Sequence, residues 1–218
     1  MTYTAVIFDM DGTLLDTLDD LAASVNRVLA ARGFPTHPHD AYRWFIGDGS
    51  ALLMTRALPP AERSPQSIKS CLTALLDDYN QNWHHRTRPY DGIVTLLDDL
   101  TRQGTALSVV TNKPHQFAGQ MIDYYFKSVP FRRVLGQQEG IAKKPDPVQA
   151  LAAAQAMGAA PAACLFLGDS AVDMQTARRA GMAAVGAGWG FRSVQELQKA
   201  GALHIIDHPH DLLALLAG

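Results

Sequence analysis

Apolar and polar positions follow two different rhythms along this chain of 218 residues. It begins with a short apolar run, Ala5 to Phe8, whose length and Val/Ile/Phe content predict a buried strand. That run breaks off into Asp9-Met10-Asp11-Gly12-Thr13. From there the period is helical: Leu18, Leu21, Val25, Val28 and Leu29 share one face, and Gly33 supplies a stop. A Pro/His-rich connection, Pro35 to Asp40, leads to a short aromatic helix around Tyr42 to Ile46. Gly47-Asp48-Gly49 and a second apolar stretch, Ala51 to Leu58, follow before Pro59-Pro60 breaks the pattern. A long helix from about Pro65 to His85 carries Ile68, Leu72, Leu75, Leu76 and Tyr79 on one side. Between Leu18 and His85 no stretch reads as a strand, so an all-helical insert is expected.

Beyond Arg86 strands and helices alternate. Helices are predicted over Ile93 to Gln103, Pro114 to Tyr125, Pro147 to Met157, Val172 to Ala180, Ser193 to Ala200 and Pro209 to Leu216. Between them fall strands Ala106 to Val110, a short one near Val134, Cys164 to Leu167, Ala183 to Val185 and His204 to Ile206. Such alternation implies βαβ units, a parallel sheet and right-handed crossovers. The expected architecture is α/β: a three-layer, parallel-sheet, Rossmann-like core over residues 1–15 and 88–218, interrupted by an α-helical insert over 16–87.

Composition narrows the function classes. Apolar residues make up 47% and charged residues 18%, which is normal for a globular protein. A formal net charge of −2 gives no electrostatic footprint for nucleic acid or an anionic membrane. The apolar runs fall short of a membrane span, and the strand expected within a few residues of Met1 leaves no room for a leader. A cytoplasmic protein, monomer or homodimer, is expected. Cys71 and Cys164 form no CxxC pair and read as buried small hydrophobes. Trp44, Trp83 and Trp189 read as core or interface residues, and His84 and His85 as a solvated helix end.

The chemistry gathers where strands end. Asp9 and Asp11, Thr111-Asn112, Lys144, and Asp169 with Asp173 all stand at carboxyl ends of strands or just beyond them. In an open parallel sheet those ends share one edge. Two acids as close as Asp9 and Asp11 repel unless a cation, a shared proton or solvation relieves them, and a hard cation such as Mg²⁺ is the simplest relief. A strand followed by an Asp-Gly turn would give the same letters. Together the four landmarks supply acidic oxygens, a hydroxyl with backbone N–H groups, and one cation, an inventory suited to phosphoryl transfer. One carboxylate can attack phosphorus while its neighbour manages the leaving-group proton. Asp173 also suits a helix start, and Thr111-Asn112 could simply end a strand. Lys143 competes with Lys144 for the phosphate, and Lys113 fits either a solvated charge or a substrate contact.

VIFDMDGTLLD, VVTNKP, KKPDP and FLGDSAVDMQTARRAG resemble, in order and spacing, the four motifs of the haloacid dehalogenase superfamily. The insert resembles that superfamily's small helical cap. IGDGSALLMTRAL, RPYDGIVTLLDDLTRQG and the tail AGALHIIDHPHDLLALL point more narrowly toward its bacterial phosphoglycolate phosphatase branch. The resemblance implies Asp9 as nucleophile and metal ligand, and Asp11 as acid, then base, giving its backbone carbonyl to Mg²⁺. It implies Thr111 and Asn112 on phosphate oxygens, Lys144 between phosphate and Asp9, Asp169 on the metal, and Asp173 on the metal or a metal-bound water. The implied reaction is hydrolysis of a small anionic phosphomonoester, with 2-phosphoglycolate favoured. A sugar-phosphate mutase, a pyrophosphatase and a broad sugar-phosphate phosphatase would use the same motifs.

Specificity then falls to the cap. Gly47, Asp48 and Gly49 are expected to dip over the substrate, with the helix after Ser50 aiming its N-terminus the same way. Hinges are expected near Asp16-Thr17 and Arg86-Arg88. Arg43, Arg56 and Arg88 are candidate partners for a substrate carboxylate.

Overall fold

The computed structural model describes residues 3–217; the expected core limits at Met1 and Gly218 lie outside them. The opening apolar run forms β1 (Ala5–Phe8), buried at all four positions. After a tight turn come β2 (Leu15–Asp16) and the helical insert: α1 (Leu18–Ala31), α2 (Tyr42–Phe45), α3 (Ser50–Ala57) and α4 (Pro65–Asn82). β3 (Arg88–Pro89) returns the chain to the core. There α5 (Ile93–Arg102), β4 (Ala106–Pro114), α6 (His115–Tyr125), β5 (Arg133–Gln137), α7 (Val148–Met157) and β6 (Cys164–Gly168) follow. α8 (Ala171–Arg179), β7 (Ala183–Ala187), α9 (Val194–Ala200), β8 (His204–Ile206) and α10 (Leu212–Ala217) complete the order.

The core is a Rossmann-like α/β unit. Six parallel strands lie in the order β5-β4-β1-β6-β7-β8, with β1 central. Side chains alternate across the sheet with the two-residue period of a strand. Val6, Phe8, Val109 and Leu167 join the layer that contains α5 and α6, while Ala5, Ile7, Val110 and Phe166 face α7, α8 and α9. Ile93, Leu96, Leu97 and Leu100 explain the fit of α5: spaced i, i+3, i+4, i+7, all four are fully buried. No helix among the described residues is long and apolar enough to cross a membrane.

Several expectations need correction. β4 does not end at Val110. Its pairing with β5 shifts register after Val110 and resumes at Pro114 opposite Gln137, so Thr111, Asn112 and Lys113 are strand residues. α4 stops at Asn82 rather than His85, and Trp83 packs edge-on against Tyr124 and Tyr125 of α6. Trp44 is no core residue, since it is 60% exposed. Both cysteines are buried and free.

The two crossings between core and insert form a structure the sequence did not announce. β2 and β3 pair antiparallel, Leu15 with Pro89 and Asp16 with Arg88. Beside this ribbon the buried Asp20 carboxylate accepts from Arg86 N at 2.9 Å, Thr87 N at 2.8 Å and Thr87 Oγ1 at 2.8 Å. Tyr125 Oη donates to Thr87 O at 2.8 Å, tying the same segment to α6.

Candidate active site

Register alone brings the first residues together. Phe8 pairs with Val109 on one side and Leu167 on the other, so Asp9, Thr111 and Asp169 stand near one another at the same edge of the sheet. Asp9 N donates to Leu167 O at 2.9 Å, which carries the pairing one residue further. Asp11 sits in the turn that follows, where the N–H groups of Thr13, Leu14 and Leu15 converge on Met10 O.

Lys144 is 2% exposed and stands between two carboxylates, 2.7 Å from Asp9 Oδ1 and 2.7 Å from Asp173 Oδ1. This assigns the tandem: Lys144 enters the acidic cluster, while Lys143 Nζ donates to Asp48 O at 2.6 Å. Asp173 closes a capping box on α8, its Oδ2 accepting from Ser170 N at 3.1 Å and Ser170 Oγ at 2.5 Å. Asp169 Oδ2 accepts from Phe191 N at 2.7 Å. Two glycines make its berth: a Cβ on Gly12 would lie 2.3 Å from Asp169 Oδ2, and one on Gly190 would lie 2.1 Å from Asp169 Cβ.

The cluster is short of positive charge. Asp9, Asp169 and Asp173 place ligand oxygens within 4.8 Å of one another, all buried, around one ammonium. Burial, with the neighbouring Asp173 charge, pushes the Asp9 carboxyl up to about 7. Burial, with Asp173 and Asp9, holds Asp169 well above the usual carboxylate range, while Asp173 and Asp9 overcome the burial of Lys144 and keep its ammonium protonated. Asp9 Oδ1 meets Lys144 as an ion pair but receives no hydrogen bond. Buried, oxygen-only donors with a surplus of negative charge fit a hard divalent cation such as Mg²⁺. Asp9 and Asp169 have oxygens to give it, whereas both oxygens of Asp173 already hold Lys144 and Ser170.

Above the cluster a cleft opens between core and insert. Leu21, Leu53, Leu75 and Leu76 of the insert face Phe117 and Pro114 of the core across it, and Asp9, Asp11 and Thr111 form its floor. Gly47 and Gly49 line it with φ of 115° and 93°, but Asp48 turns its side chain to Arg56 at 2.5 Å. Three core side chains grip this loop by successive carbonyls. Arg192 Nη2 donates to Ile46 O at 3.0 Å, Asn112 Nδ2 to Gly47 O at 3.1 Å and Lys143 Nζ to Asp48 O at 2.6 Å. Asn112 also accepts from Lys144 N at 2.9 Å and donates to Lys144 O at 3.1 Å, so its amide is committed to backbone on both sides.

Sequence reasoning left Lys113 undecided and overlooked Tyr79 as a polar group, Asp20 and Arg192. Lys113 is buried, and its Nζ donates to Asp11 Oδ1 at 2.9 Å and Tyr79 Oη at 3.0 Å. Thr17 Oγ1 donates to the same Asp11 oxygen at 2.8 Å. Arg56 is taken by Asp48, and Arg43 and Arg88 lie against Asp40 and Asp16, outside the cleft lining.

Known proteins are similar to this chain over nearly its whole length. A phosphoglycolate phosphatase of Pseudomonas putida is 36% identical over 217 residues, 98% of this chain and 78% of the relative. An N-acetylmuramic acid 6-phosphate phosphatase of Pseudomonas aeruginosa is 34% identical over 221 residues, covering 99% and 96% of the two chains. The crystal structure of a candidate phosphoglycolate phosphatase from Lactobacillus delbrueckii subsp. bulgaricus superposes with a TM-score of 0.92 at 31% identity, covering 99% of both chains. The family model for haloacid dehalogenase-like hydrolases matches residues 6–187, a span that takes in the acidic cluster, its lysine and the helical insert. The chain belongs to that family.

Proposed function

We propose that the chain is a Mg²⁺-dependent phosphomonoester hydrolase that works through an aspartyl-phosphate at Asp9, and that it converts 2-phosphoglycolate to glycolate and phosphate. The observation that carries this reading is the Asp9–Lys144–Asp173 array: a buried carboxylate, pinned by an ammonium, at the floor of a cleft that also presents a second acid. Asp9 and Asp169 side chains and the Asp11 carbonyl would hold the metal, which neutralises the phosphate and Asp9 charges when bound.

An Asp9 oxygen attacks phosphorus; the new O–P bond forms as the bond to the substrate alkoxide breaks. Asp11 gives its proton to the departing oxygen, then takes one from the water that attacks the phosphoenzyme and frees Asp9. Lys144 offsets charge on Asp9 and on a phosphoryl oxygen, and Asp173 holds that ammonium in place. Thr111 presents its hydroxyl to the phosphoryl group. Asn112 acts by fixing the Lys144 backbone. The helical insert serves as a cap whose apolar wall excludes water other than the nucleophile.

The names of the relatives support the substrate class, since each acts on a phosphomonoester of an organic acid. The test is kcat/KM, with Mg²⁺, over 2-phosphoglycolate, N-acetylmuramic acid 6-phosphate, hexose phosphates, nucleotides and pyrophosphate. The expected outcome is phosphate release, fastest from 2-phosphoglycolate. Isomerisation of β-glucose 1-phosphate without phosphate release would replace the reading with a mutase, and no release from any ester would end it.

A further inference from the structure

The reaction above gives Lys113 nothing to do, yet its placement is costly. It lies on β4 two residues beyond Thr111, is only 5% exposed, and holds its ammonium between a carboxylate and a phenol. The same Nζ sits 4.7 Å from the centroid of the Tyr79 ring. Burying an ammonium is unfavourable unless its partners repay desolvation, and a partner change is cheap only where a second anion can take the first one's place. Among the described residues that line the cleft, Lys113 is the sole cationic side chain. The insert contributes leucines, isoleucine, tyrosine, two glycines and Ser50 there, while Arg43 and Arg56 are engaged by Asp40 and Asp48.

Distance decides what Lys113 can meet. An acid that protonates a leaving oxygen must approach within about 2.6–3.2 Å of it. Lys113 Nζ is 2.9 Å from an oxygen of the same Asp11 carboxyl. A carboxylate attached one methylene beyond the bridging oxygen therefore falls within reach of Nζ without any movement of the backbone. A neutral or apolar substituent in that position finds the leucine wall and leaves Nζ on Asp11.

We infer that Lys113 is the counter-ion for the substrate's carboxylate, and that it selects phosphomonoesters carrying an anionic carboxylate next to the ester carbon. This rests on the phosphatase reading and sharpens it from a phosphate-recognising site to one that reads two anions a methylene apart. Tyr79 positions the ammonium, with its phenol kept neutral by burial and the nearby Asp11 charge.

The experiment compares 2-phosphoglycolate with its carboxyl methyl ester, which keeps the leaving alkoxide and removes the second charge. In the wild-type protein kcat/KM should favour the free acid by about 30-fold, the equivalent of about 2 kcal/mol. Lys113→Gln and Lys113→Met both remove the charge, and Gln also keeps donors for Asp11 and Tyr79; circular dichroism establishes which folds. Either variant slows both substrates through Asp11, but the acid/ester ratio should collapse toward one, chiefly through KM for the acid. An unchanged ratio, with both substrates slowed alike, would overturn the counter-ion role and leave Lys113 as a support for Asp11. A wild-type ratio near one, with phosphate released from both esters, would overturn both the carboxylate reading and the counter-ion while leaving the phosphatase chemistry intact. Absence of turnover on either ester would count against the phosphatase reading itself.

Discussion

Replacing Asp9 by Asn should make the metal-free protein more stable as well as inactive. The carboxyl is buried beside Asp169 and Asp173, and it titrates at about 7 instead of the ordinary 3.8. Below the ordinary value the folded and unfolded chains are both protonated, and Asp9 has no effect on stability. As pH rises from about 4 to 7 the unfolded chain releases this proton while the folded chain retains it, so stability falls; above 7 the loss is complete. A rise from 3.8 to about 7 corresponds to about 4 kcal/mol between the protonation states, and the shared Lys144 reduces what one substitution recovers. The isosteric amide carries no charge at any pH. Asp9→Asn should therefore match wild type near pH 4 and exceed it by about 2–4 kcal/mol at pH 8. Urea unfolding in EDTA across that range measures the difference, and saturating Mg²⁺ should shrink or reverse it because binding stabilises the native wild type. A gap that stays constant with pH, or an Asn variant that is the weaker protein at pH 8, would refute the argument. So would turnover close to wild type, since an amide is a poor nucleophile.

Two further predictions concern the junction with the insert. Asp20→Ala leaves the part-buried N–H of Arg86 and the buried N–H and hydroxyl of Thr87 without their acceptor and should cost about 2–4 kcal/mol; a shift below about 1 kcal/mol in urea unfolding would show that water replaces the carboxylate. The double variant Lys143→Met/Arg192→Met removes two of the three grips on the Ile46–Asp48 loop. It should raise KM about 30-fold with a smaller change in kcat, at about 1 kcal/mol for each of the two partly exposed bonds. Because Arg192 stacks 5.0 Å from the Trp44 ring, the fluorescence of that residue should shift in parallel. Unchanged KM and emission would mean that the Asn112 bond and the leucine contacts suffice to close the cleft.

What the sequence made legible was whatever is local. Ala5 to Phe8 reads as a buried strand because burial on both faces leaves a continuous apolar run. The insert reads as helices because each one hides a single stripe. The β2–β3 ribbon was invisible: two residues per strand cannot show an alternation, and Arg88-Pro89 resembles a turn. The end of β4 was misplaced for a related reason, since Thr-Asn-Lys-Pro has loop composition and becomes strand through a register shift that only β5 imposes. Lys113 could not be told from a surface charge, because what buries it is Tyr79, 34 residues earlier. Asp48 was expected over the substrate on the strength of its glycine neighbours, but Arg56, two turns along α3, draws it aside. Arg192 lies 146 residues from the carbonyl it holds, a separation at which no periodicity speaks.

The grip on Ile46, Gly47 and Asp48 is made entirely to main-chain oxygens. Every amino acid offers that oxygen, so the docking geometry is indifferent to which side chains the loop displays. The core thus owns the closure while the insert is free to change what lies over the reacting group. Lineages of this fold could exchange substrates by altering residues around positions 46–53 and leave the mechanics of shutting the cleft untouched. Selection on recognition and selection on closure would then act on separate letters of the sequence.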